Sequence, residues 1–211
     1  QVGTATVTVT GKGNFKDSCD LHFVIRVADL ERVQATRVEL EQTYAALNGK
    51  LDKVEDLMVE STANETSIFW MSTSTAMSVS KEGKVSVILT SEEQTVVLYA
   101  LITAGDAAEY AMFTVTLPKQ VSTSDENSNV TVEGVQEGAV VKVEQTDGSE
   151  ANYEVVGDEE VIAGYEITLQ QNNQTVQPMD EVTVKLPVPA GYNQDTLQVY
   201  YVNGEEQTDM N

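Results

Sequence analysis

The sequence predicts an all-β protein: tandem β-sandwich domains, with one short helix at the start of the middle domain. Three observations carry that expectation. Hydrophobic residues make up 41% of the chain but aromatics only 6%, so the cores must be largely aliphatic. The chain is rich in Val and Thr, whose branched Cβ suits a pleated, half-buried surface. Short segments of β-type patterning also recur along most of its length, separated by Gly, Pro, Asn and Asp. At 211 residues, two or three small domains fit as well as one large one.

The first segment alternates strictly from Gly3 to Thr10, with Ala5, Val7 and Val9 on one face and threonines on the other. Gly11–Asn14 supplies turn residues, and Leu21–Ile25 reads as a second strand. Two strands cannot bury a face alone. Residues 1–28 are therefore expected to lean on something else, or to be the closing strands of a truncated repeat.

Over 29–48 the period changes to that of a helix, with Leu30, Val33, Leu40, Tyr44 and Leu47 as its apolar side, Asp29 as N-cap and Gly49 as stop. This helix is expected to pack against the edge or end of its own domain, 29–118. Strands follow at Leu57–Val59, Ser67–Met71, Met77–Val79, Lys84–Leu89, Thr95–Thr103 and Ala111–Leu117, a spacing that reads as a sandwich. Residues 119–129 are polar and read as a linker.

A second sandwich is expected over 130–211. Its strands are Val130–Val132, Val140–Glu144, Tyr153–Val156, Ile162–Gln170, Glu181–Leu186 and Leu197–Val202, with Pro187 and Pro189 ending one of them. Asn203-Gly204 is a hairpin signal, but the strand that should follow is expected to be missing. The domain then has an open edge, which predicts contact with another chain through strand addition, or poor order there.

Three stretches carry a resemblance. Val2-Gly-Thr-Ala-Thr-Val-Thr-Val-Thr-Gly-Lys-Gly-Asn-Phe15, followed by Phe23-Val-Ile25, resembles the last two strands of a repeat of Firmicute surface proteins. Ile68-Phe-Trp70-Met-Ser72, Gly83-Lys-Val85 and Phe113-Thr-Val-Thr-Leu117, after a short helix, resemble the atrophied bacterial Ig-like domain. Pro189-Ala-Gly-Tyr192, Val199-Tyr-Tyr-Val202 and Thr208-Asp-Met-Asn211 are similar to a further module of such proteins, which in relatives continues for two more strands. The resemblance implies tandem Ig-like sandwiches of a Gram-positive surface protein, a secreted or cell-wall location, and a spacer or adhesive role. It supplies no ligand.

Charge narrows the partners. The chain carries 34 acidic and 12 basic residues, a net charge of -22. Three basic residues stand against two acidic before residue 29, six against fourteen over 29–118, and three against eighteen beyond. Without a basic stripe there is nothing to release counterions from nucleic acid, and anionic membrane surfaces are disfavoured for the same reason. No apolar run is long enough to cross a bilayer, so membrane insertion is not expected. The start at Gln1, with no Met and no leader, reads as an excerpt.

Catalytic chemistry is poorly served. Cys19 is alone, so no intrachain disulfide forms. His22, the single histidine, lies three residues from Cys19, on the opposite face of an extended segment and with no third orienting group. A zinc site lacks ligands, and no cofactor is expected. Carboxylate pairs are uninformative among so many acids. The acidic third reads as solubilising, with a Ca²⁺ site as the sharper alternative, but Asp125-Glu126 and Asp158-Glu-Glu160 lack the alternating ligand spacing of a calcium loop and read as solvated turns.

The expected protein is thus non-catalytic. Its rival reading is a module binding host or dietary glycans, or surface proteins, through exposed aromatics on a concave or flat face. Trp70 is expected in the core. Tyr192, Tyr200 and Tyr201 are the candidate ligand-binding residues, since adjacent strand residues such as Tyr200 and Tyr201 cannot both face inward. Lys142 and Lys185 are candidates for a Lys–Asn isopeptide cross-link, set against the ordinary solvated face of a strand.

Overall fold

A computed structural model describes residues 3–12, 17–25, 27–146, 160–203 and 206–210. Strand β1 (Gly3–Thr10) pairs antiparallel with β2 (Ser18–Ile25), setting Ala5 opposite Phe23, Val7 opposite Leu21 and Val9 opposite Cys19. Val7, Val9, Leu21 and Phe23 all stand exposed on that face. The other face is tied by side chains: Thr6 Oγ1 meets His22 Nδ1 at 3.0 Å, and Thr8 Oγ1 donates to Asp20 Oδ1 at 2.6 Å.

Helix α1 spans Asp29–Thr43 and corrects two expectations. Asp29 is its first helical residue rather than its cap; Ala28 is the N-cap and makes no side-chain cap, while Asp29 Oδ1 accepts from Arg32 Nη1 at 2.8 Å. The helix also ends before Gly49. A single 3₁₀ turn at Ala45–Leu47 intervenes, and Gly49–Lys50 is the short strand β3.

The following strands are β4 (Glu60–Ser61), β5 (Thr66–Ser72), β6 (Met77–Val79), β7 (Val85–Val87), β8 (Gln94–Ala104) and β9 (Ala107–Leu117). Five of these strands form one sheet in the order β3-β9-β8-β5-β4, antiparallel except for β3 on β9; β6 and β7 pair separately. Leu57–Val59 lies outside the ladder, although Leu57 is buried. Alternation along β8 buries Val96, Leu98, Ala100, Ile102 and Ala104 on a single face. On that face sit Val33 and Leu40 of α1 together with Met77, Val87 and Leu89. The helix therefore forms part of a layer across the sheet, against β8 and β9, instead of packing at the sandwich's edge. Its third buried residue, Thr36, satisfies its hydroxyl on Thr66 Oγ1 at 2.8 Å.

Beyond residue 118 the expected linker is largely absent. Gln120–Ser124 is strand β10, paired with β11 (Thr131–Gln136), and Asp125–Asn129 is the turn between them. Next come β12 (Val140–Thr146), β13 (Gly164–Gln171), β14 (Gln174–Val176) and β15 (Thr183–Lys185). Two three-stranded sheets result, β10-β11-β15 and β12-β13-β14, around a small core of Val132, Val135, Ala139, Val141 and Leu169. The expected strand Tyr153–Val156 falls outside the described residues.

Two hairpins differ from expectation. Strand β14 is additional: Asn172 and Asn173 both have positive φ (52° and 61°), as a type I′ turn requires. At the other hairpin, Tyr200–Asn203 (β16) pairs with Glu206–Asp209 (β17), so a strand does follow Asn203. Asparagine can occupy the left-handed region, as Asn172 and Asn173 do here.

Candidate functional site

The most constructed polar feature lies where the middle sandwich meets the next one. Only Pro118 and Lys119 separate β9 from β10. Gln120 N donates back to Thr90 O, and Glu137 N to Lys119 O at 3.0 Å. The Glu137 carboxylate then accepts from Lys119 Nζ at 2.9 Å and Lys50 Nζ at 2.7 Å, while Lys50 also reaches Glu93.

Behind this pair of bridges the contact is apolar. Met179, from the segment between β14 and β15, is buried in the core cluster of the middle sandwich. Buried Gln136 aims that segment: its Nε2 donates to Gln177 O at 3.2 Å and its Oε1 accepts from Met179 N at 3.3 Å. Asp180 Oδ2 accepts from Leu89 N at 2.9 Å, a further bond across the junction. A long apolar side chain in a neighbour's core, with the flanking backbone bonded, resists rotation far better than exposed ion pairs do.

Hydrogen bonds from Lys119 and Lys50 hold the Glu137 carboxyl down at about 2, against an ordinary 4.5. Hydrogen bonding to Glu137 and then Glu93 raises Lys50 above its usual value. A carboxylate depressed in this way favours the docked arrangement fully above its ordinary value, and that contribution fades as pH falls through about 2. Glu137→Gln should therefore loosen the junction at neutral pH, seen as faster proteolysis next to residues 118–120, and should remove the acid-dependent step. An unchanged step in that variant would assign it to another group.

The aromatic candidates are placed as follows. Tyr192 and Tyr201 are 48% and 59% exposed, whereas Tyr200 is half-buried and donates through its hydroxyl to Gln198 Oε1 at 2.6 Å. Tyr200 and Tyr201 sit opposite Asp209 and Thr208, so the pleat sends them to opposite faces. They do not share a platform with each other.

Trp70 is buried on the inner face of β5, as expected of a core residue. Its ring meets Tyr44 edge-on at 5.9 Å and Phe113 at 5.7 Å. The polar ends of two aromatics secure one residue, for Trp70 Nε1 donates to Met58 O at 2.8 Å and Met58 N donates to Tyr44 Oη at 2.8 Å.

Other candidates have structural partners. Cys19 and His22 occupy opposite faces of the first hairpin, across from Val9 and Thr6. Asp125 Oδ1 accepts from Asn127 N, Ser128 N and the Ser128 hydroxyl, which caps a turn and lowers its pKa. Lys142 and Lys185 are exposed, and Lys185 pairs with Glu133 at 2.5 Å, on the solvated side of the strands. Among the described residues no group of three or more His, Cys, Asp or Glu could hold a metal; Asp158 and Glu159 lie outside them.

Against known proteins, residues 33–120 match the atrophied bacterial Ig domain. The match covers the middle sandwich and supports reading it as a bacterial Ig-like domain, a class that is generally non-enzymatic and typically extracellular. No curated protein matches the chain. No helix among the described residues is long and apolar enough to cross a membrane.

The junction has little signature in the sequence. Met179 stands alone in a polar stretch, so no periodicity marks it, and Gln136 reads as an ordinary strand residue. The one available signal is Pro178 before Met179, which fixes an extended approach.

Proposed function

We propose that the chain is a non-catalytic extracellular module of a bacterial surface protein, serving as a spacer or stalk that holds another domain away from the cell wall. The observation that carries this reading is the junction: Met179 seated in the neighbouring core, with Glu137 bridging Lys50 and Lys119 beside it. A spacer needs its units held in line, and a two-residue connection with a buried anchor supplies that restraint.

The test is a pair of spin labels in a Cys19→Ser background, one at exposed Lys81 and one at exposed Glu166. A narrow distance distribution is expected, broadening severalfold in Met179→Asp. A distribution already broad in the parent chain would remove the basis of the spacer reading.

The rival is glycan or protein binding at Tyr192, Tyr200 and Tyr201, favoured by the exposure of Tyr192 and Tyr201. A glycan and mucin array distinguishes the two. Selective binding that disappears when all three tyrosines become alanine would make the module adhesive, and silence from folded protein would leave the spacer.

A further inference from the structure

The outer face of the five-stranded sheet is unlike the rest of this acidic chain. Opposite the core, β5, β8 and β9 align Phe69 with Leu101 and Tyr110 in one rank, and Met71 with Tyr99 and Met112 in the next. Phe69, Tyr110 and Met112 are 52%, 52% and 57% exposed. Every remaining outward position on the three strands is Ser, Thr, Ala or Val. Their single charged residue, Glu109, belongs to the opposite set and faces Arg37 of α1. Thirteen outward positions carry no charge in a chain of net charge -22, and the two central ranks among them form an apolar patch bordered mostly by Ser and Thr.

Its composition indicates the kind of occupant. Tyr, Phe and Met without charge is the make-up of the core of a protein interface, and methionines adapt to a partner's shape. A sugar site needs convergent directional polar groups, whereas Leu and Met fill half of the two central ranks. The strip is small for a pair of these faces: three strands and their flanks span about 14 Å by 25 Å, roughly 350 Å², against about 800 Å² per partner for a specific interface. That strip suits one helix, about 10–12 Å across and four to five turns long. Exposed acids stand at the strip's two ends, Glu60 in register with Ser67 and Asp106 in the β8–β9 turn at one, and Glu92 at the other, where Lys50 beside Thr116 is itself paired with Glu93 and Glu137.

We propose that this face docks an amphipathic helix of another protein, with an apolar stripe against Phe69, Met71, Tyr99, Leu101, Tyr110 and Met112 and basic residues flanking it. The acidic ends and the overall charge favour a basic partner and speed its approach. The inference does not depend on the spacer reading.

The test uses three synthetic 18-residue helices: Leu/Lys in amphipathic register, Ser/Lys with the same charge, and Leu/Glu with the same stripe. Each is titrated into the full chain and into Tyr110→Ser/Met112→Ser, whose two side chains are more than half exposed and uncharged; circular dichroism verifies the variant's fold. The expected result is that Leu/Lys binds the parent at least tenfold tighter than either other peptide, and that the variant lowers it to the Ser/Lys level. Failure of Leu/Lys to bind, equal binding by the variant, or equal binding of Leu/Glu would each overturn the proposal. So would sedimentation showing a dimer that the variant abolishes, which would make the occupant a second copy, or glycan binding lost in the same variant. A Met179→Asp chain should keep its helix affinity, so loss of the spacer reading and loss of this one are separable.

Discussion

Trp70→Ala is expected to destabilise the middle sandwich by about 3–5 kcal/mol, read from its urea midpoint by circular dichroism. The loss has two sources. Removing the indole opens a cavity between Tyr44 and Phe113, and it strands the carbonyl of Met58, which accepts from Trp70 Nε1. Trp70→Phe separates them, since the ring largely fills the space but cannot donate; it should cost about 1–3 kcal/mol. Tyr44→Phe tests the other half of the same clamp by orphaning Met58 N. If Trp70→Ala left stability unchanged, the residue would not be part of the core and a surface role would have to be found for it.

Gly83→Ala should be nearly as damaging, for a different reason. Gly83 sits at φ +85°, and a Cβ there would lie 1.9 Å from the carbonyl oxygen of Leu57. Relief by moving Leu57 is resisted, because Leu57 N donates to Gly83 O at 2.8 Å and the Leu57 side chain is buried. A loss of more than about 3 kcal/mol is expected, strain and clash together. Gly191→Ala supplies the comparison. Its φ is +93° but nothing lies within 4 Å of the added Cβ, so only the strain remains, about 1–3 kcal/mol. Equal losses at the two glycines would show that contact with Leu57 contributes nothing. Fluorescence of Trp70, the chain's only tryptophan, follows the first variant, and circular dichroism the second.

These two residues also show what is legible in the sequence. Trp70 and Gly83 both lie in the motifs that carry the resemblance, and each serves the backbone of its neighbours. Trp70 bonds Met58, and Gly83 lets the chain pass Leu57. Strands β5, β8 and β9 are readable because their inner faces repeat every second residue, the direct mark of a half-buried sheet. Helix α1 is readable as an element, but not in its placement. Thr36 packs inside while Leu30 and Val38 stay out, since the face is chosen by Thr66 and the sheet beneath rather than by hydrophobicity alone.

The features that escape the sequence share a cause. Strand β10 reads as linker because its Gln120-Val-Ser-Thr-Ser124 run is mostly polar; as the edge of a three-stranded sheet it has only a limited apolar face to supply. The turn Asn172-Asn173 carries a weaker signal, because two asparagines mark hairpins more rarely than Asn-Gly does. The apolar patch on β5, β8 and β9 belongs to the outward positions of otherwise well-read strands. It becomes visible only once register shows that Phe69, Leu101 and Tyr110 are neighbours.

The short connection through Pro118 and Lys119, pinned by Met179, has a directional meaning as well as a mechanical one. A tether of many residues lets each bead of a string spin freely, so a patch on one bead samples every compass bearing. Here the orientation of one sandwich is set by its contacts with its neighbour. Modules joined in this way would advance by a constant angle, and any recognition surface they bear would recur with a defined phase.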